Sequence, residues 1–117
     1  MTPLLLADLS ERHPGLTKAI GDSYAEAAAV CMHRHHVSPA DLSAVVRDLT
    51  TECVIHWETP SNGILRAYAN EIDTTEQGAY AVSLATTEAV VGLVAVSRAE
   101  TMTGADYYVA PIGSNLE

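Results

Sequence analysis

The chain has 117 residues, the common length of a single domain, and 48% of them are apolar against 18% charged, which places it with globular proteins and excludes a disordered or fibrous one. Fifteen acidic residues against six basic ones give a formal net charge of −9. From Tyr68 onward Arg98 is the only cation among seven carboxylates, so a phosphate backbone finds no basic stripe and nucleic acid is an unlikely partner.

The excess charge favours solubility and attraction to a basic protein. With no Phe and a single Trp, the core is expected to be built from Ala and aliphatic side chains, with Trp57 and the five tyrosines as its large anchors. Thr2 as an N-cap and Pro3 at the first helical position, followed by Leu4, Leu5, Leu6 and Leu9, predict a short helix that ends near His13-Pro14-Gly15. A longer, Ala-rich helix is predicted from about Leu16 to His35, where Leu16, Ile20, Tyr24, Ala27, Ala28 and Cys31 recur at helical spacing.

Residues 41–58 fit two periods. Leu42, Val45, Val46 and Leu49 suit a helix, whereas Cys53, Ile55 and Trp57 alternate with Val54, His56 and Glu58, and this alternation decides for two strands turning near Asp48 to Thr50. Pro60-Ser61-Asn62-Gly63 breaks the second strand, and Ile64 to Asn70 is expected to form a short helix. Thr74 and Gln77 have capping-box spacing, so a helix is predicted from there to about Val90. Leu93 to Ala99 and Ala105 to Ala110 then form a hairpin through Thr103-Gly104, ended by Pro111. The order α-α-β-β-α-α-β-β describes one α+β domain over residues 1–117, with helices covering one face of about four mostly antiparallel strands.

The apolar stretch from Ala79 to Ser97 carries Glu88 at its centre and is read as core, not membrane span. MTPLLLADLSERH lacks the basic start and cleavage site of a signal peptide, and Cys31 and Cys53 show no CxxC spacing. Both features point to the cytoplasm.

Chemistry-bearing residues form three candidate groups. His33 and His36 share a helix face near Cys31 and are weak candidates for metal ligation, although no zinc-module spacing surrounds them. His56, beside Trp57 and between Glu52 and Glu58, is a candidate acid or base. Asp106, on a strand after a glycine turn, can bind Mg²⁺ with help from Glu76 or Glu88. A phosphodiesterase site would also want a lysine on the same sheet, but the only lysine, Lys18, lies in an early helix. Trp57, Tyr107 and Tyr108 are the candidate partner-binding residues.

Thr75, Glu76, Gly78 and Ala79 at a helix start, and Thr103, Gly104, Asp106 and Tyr107 at a turn and strand, make a segment that resembles a family of uncharacterised bacterial proteins. The resemblance covers about a third of the chain and implies no activity. Members of that family continue past the Asp-Tyr strand into a Glu-x-Ser-Gly strand, which this chain is expected to lack. The family's helix-then-strand acidic pattern is reminiscent of restriction-type nuclease folds. Two readings follow: a non-catalytic interaction protein of the antitoxin, immunity-protein or small-subunit kind, with no cofactor, and a metal-dependent nuclease-like enzyme using Asp106 and Glu76. The first is preferred, because the negative charge and the missing lysine oppose phosphodiester chemistry. Self-association into a homo-oligomer is compatible with it.

Overall fold

Leu4 and Leu6 are buried while Leu5 between them is 52% exposed, a two-residue period that belongs to extended chain. A computed structural model, which describes residues 1–100, 104 and 106–113, accordingly opens with a strand, β1 (Thr2–Leu4), where a helix was expected. Pro3, which has no N–H to give to a ladder, is tolerated there because β1 is an edge strand. Only Leu9–Arg12 (α1) is helical in this region. α2 (Lys18–His35) follows, capped by the Thr17 hydroxyl, which accepts from the Ile20 N–H.

β2 (Ala40–Val46) and β3 (Leu49–Ile55) form the expected antiparallel hairpin. Arg47 and Asp48 turn it with φ of 50° and 66°, the left-handed two-residue geometry whose twist matches the flanking strands. After α3 (Asn62–Ala67), the helix α4 (Glu71–Thr86) begins earlier than the Thr74 box predicts. Asn70 is the cap, its side chain accepting from the Asp73 N–H, and Thr74 lies buried in the first turns with its hydroxyl donating to the Tyr68 carbonyl. A π-helical turn (Thr87–Val91) extends α4, and β4 (Leu93–Arg98) pairs antiparallel with β5 (Tyr107–Pro111). Gly104 has φ +77°, as the expected glycine turn demands, whereas Thr103 lies outside the described residues.

The class is α+β and the pairing mostly antiparallel. The described strands, however, number five and form two sheets, one of order β1-β3-β2 and one of β4-β5, where one sheet of about four was expected. The reason lies at Ala95. Its N–H donates to the His13 ring and its carbonyl accepts from the Gly15 N–H, so a loop takes the backbone groups that another strand would use. The loop comes so close that a Cβ on Gly15 would sit 2.7 Å from the Ser97 nitrogen, and β4 is bulged between Ala95 and Ser97.

The core joins Leu4, Leu6, Leu9 and Leu16 to Ala28, Ile55, Ala81 and Leu84. Small residues let α2 and α4 touch: Gly78 meets the backbone of Ala27 and Ala28. Trp57 is not the buried anchor that the composition suggests. It is half-buried and packs on the edge of the core, while Leu9 and Ile55 are the largest fully buried aliphatic side chains. Among the described residues no helix is long and apolar enough to cross a membrane.

Candidate functional site

β3 ends at Ile55, where its pairing with β2 stops, and the irregular segment His56–Thr59 before Pro60 holds the half-buried Trp57 against the edge of the core. The Trp57 N–H donates to Ser38 Oγ at 3.0 Å, which fixes the backbone there. Opposite stand Ala25, Glu26 and Ala29 of α2, whose small side chains leave room, and Ile64 of α3. The result is a cleft of about 540 Å³, floored largely by apolar groups, with the exposed carboxylates Glu26 and Glu58 and the exposed imidazole of His56 at its rim.

Asp106 and Glu76 come together elsewhere, lining a second cleft with Tyr80 and Tyr107. His56 is not among them. The Tyr80 hydroxyl donates to Asp106 Oδ1 at 3.1 Å and accepts from Arg98 Nη2 at 3.2 Å. The Arg98 guanidinium lies 5.0 Å from the ring centres of both Tyr80 and Tyr107, whose planes meet at 83°. Tyr24 stacks on Tyr80 at 5.2 Å and shares a 2.7 Å hydrogen bond with the Tyr107 hydroxyl. Burial, then that hydrogen bond, pushes the Tyr24 phenol above its ordinary range, and bonding to the Tyr80 hydroxyl raises the Arg98 guanidinium above its own. Tyr24 is therefore neutral and Arg98 is charged at neutral pH. Magnesium would find two carboxylates here, one of them already accepting a hydroxyl that Arg98 also bonds. Among the described residues no three His, Cys, Asp or Glu side chains gather to hold a metal. His33 and His36 lie exposed at the C-terminal end of α2. Tyr107 is committed to the tyrosine cluster, and exposed Tyr108 donates to the Glu100 carboxylate.

Glu88, the expected helper of Asp106, points elsewhere. Its Oε2 accepts from Arg12 Nε at 2.7 Å, and its Oε1 bonds Nε2 of the fully buried His13 at 3.0 Å. Thr86 and Thr87 return hydroxyl bonds to the carbonyls of Val82 and Ser83, and the π turn that follows directs Glu88 inward. His13 Nδ1 accepts from Ala95 N–H, so the ring proton resides on Nε2 and the imidazole is neutral. Desolvation by burial holds its pKa below the ordinary 6.5 despite the nearby carboxylate. This triad was missed in the sequence, where the one available signal was a carboxylate in the middle of an apolar run.

Comparison with family models, with curated proteins and with solved structures finds no match to this chain.

Proposed function

We propose that this chain is a small, acidic, non-catalytic interaction protein that acts in the cytoplasm on a basic protein partner, in the manner of an antitoxin, an immunity protein or a small subunit. The resemblance to uncharacterised bacterial proteins belongs to the same proposal. One observation carries it, the disposition of charge. Of the six cations, Arg12 is paired with Glu88, Lys18 with Asp22, Arg34 with the Tyr68 carbonyl and Arg98 with the tyrosines, while Arg47 and Arg66 are exposed. Glu26, Glu58, Glu71, Asp73 and Glu76 are also exposed, and with fifteen acidic residues against six basic ones the surface offered to a partner is predominantly acidic. Free Cys31 and Cys53 accord with a reducing compartment.

The shared cleft of Asp106 and Glu76 favours the second reading, a metal-dependent nuclease-like enzyme. The two readings part in one assay. The purified chain is expected to leave DNA and RNA intact with Mg²⁺ or Mn²⁺, and Asp106→Asn to change only stability or binding. Metal-dependent cleavage that disappears in Asp106→Asn while the melting temperature persists would establish the enzyme instead.

A further inference from the structure

We propose that the Trp57 cleft receives a basic amphipathic segment of the partner, one apolar side chain entering between Trp57, Ala29 and Ile64 while flanking Lys or Arg side chains meet Glu26 and Glu58. The inference rests on the interaction reading and adds to it a place and a chemistry. A half-exposed indole beside alanines is an anchor of the kind that interfaces use, because it offers a large rigid surface at little entropic cost. The volume of about 540 Å³ lies within the roughly 300–1,000 Å³ of clefts that hold a drug-sized ligand, so it has room for an apolar side chain and part of its neighbours. The two rim carboxylates decide the occupant. An acidic segment is repelled by both, a purely apolar one leaves their charges unanswered, and a basic amphipathic one satisfies floor and rim together. The tyrosine cluster offers no equivalent, since Arg98 already occupies its aromatic corner.

Trp57 is the only tryptophan, so its emission reports directly on the cleft when the probes contain none. Three synthetic twelve-residue peptides serve: a Leu-anchored Lys/Arg peptide, its Leu→Ser version, and its Lys/Arg→Glu version. The first is expected to shift Trp57 emission saturably and the other two to leave it unmoved. Glu26→Gln with Glu58→Gln, both at exposed positions and with glutamine keeping an acceptor for the Tyr68 hydroxyl that Glu26 faces, is expected to keep the parent's melting temperature and to weaken the first peptide about five- to tenfold, the effect of two surface ion pairs. Equal responses to all three peptides, no response to any, or undiminished binding by the double variant would overturn the assignment. So would an emission change with protein concentration alone, which would identify a second copy as the occupant. If a basic protein binds in a salt-dependent way while Trp57 and both carboxylates stay silent, this cleft is the wrong site and the interaction reading stands. If no basic protein binds at all, both fail.

Discussion

Gly78→Leu is expected to lower the stability of the fold by about 3 kcal/mol, the upper part of the range for forced overpacking. A Cβ at this position would stand 3.2 Å from the Ala27 carbonyl oxygen and from Ala28 backbone atoms, none of which can move without shifting α2. Leucine adds further atoms to that contact, so α2 and α4 must separate and uncover Ala27, Ala28, Ala81 and Leu84. For a chain of this length the loss corresponds to roughly 12 °C in melting temperature. Gly78→Ala is the informative control: it gains about 1 kcal/mol of helix propensity and meets a tight contact, so its net effect is small. A leucine variant that melts with the parent would show that the two helices are not in this register.

Acid should unfold the protein through His13. The neutral ring is satisfied on both sides, accepting from Ala95 N–H at Nδ1 and donating to Glu88 at Nε2. A second proton would have to occupy Nδ1, against the Ala95 N–H, inside a site with no solvent access. Because the folded pKa lies below the unfolded 6.5, the unfolded chain binds the proton more readily. The stabilisation is therefore complete above pH 6.5 and is lost as pH falls from there toward the folded value, at up to about 1.4 kcal/mol per pH unit. His13→Ala is expected to cost about 2–4 kcal/mol at pH 8, from the cavity and the orphaned Ala95 N–H, and to flatten the acid limb just below pH 6.5. Urea titrations of both proteins at half-unit steps between pH 5 and 8 check this. Parallel pH dependence of the two would remove His13 from the account.

These two sites also show where the sequence was legible. The β2–β3 hairpin was readable because Cys53 and Ile55 alternate with outward residues over a stretch rich in β-branched side chains, and local period decided the outcome. The Leu4-Leu5-Leu6 run carried no such contrast, since a row of leucines fits either period, and only pairing with β3 makes it a strand. Thr74 and Gln77 satisfied a local capping pattern, but Asn70 four residues earlier is an equally good cap and lets the helix bury Thr74 against the Tyr68 carbonyl. Asp106 and Glu76 line one cleft, because the residue just before β5 lies near α4, as the Tyr80–Asp106 hydrogen bond shows. Arg98 and Tyr24, which complete that cluster, come from β4 and α2 and share no motif with them. The composition marked Trp57 as a core anchor, yet the small side chains of Ala25 and Ala29 leave a cleft where larger ones would have buried it. The His13–Glu88 pair spans 75 positions, and no short-range pattern encodes such a contact.

The claim that this acidic surface serves a basic protein partner is tested most directly by the salt dependence of its complex. The partner that co-purifies with the chain should be basic, and its dissociation constant should rise steadily as NaCl is increased, since exposed charges are screened over about 8 Å at physiological ionic strength and about 3 Å at 1 M. An affinity that holds constant across that range, or a partner that is itself acidic, would contradict the account.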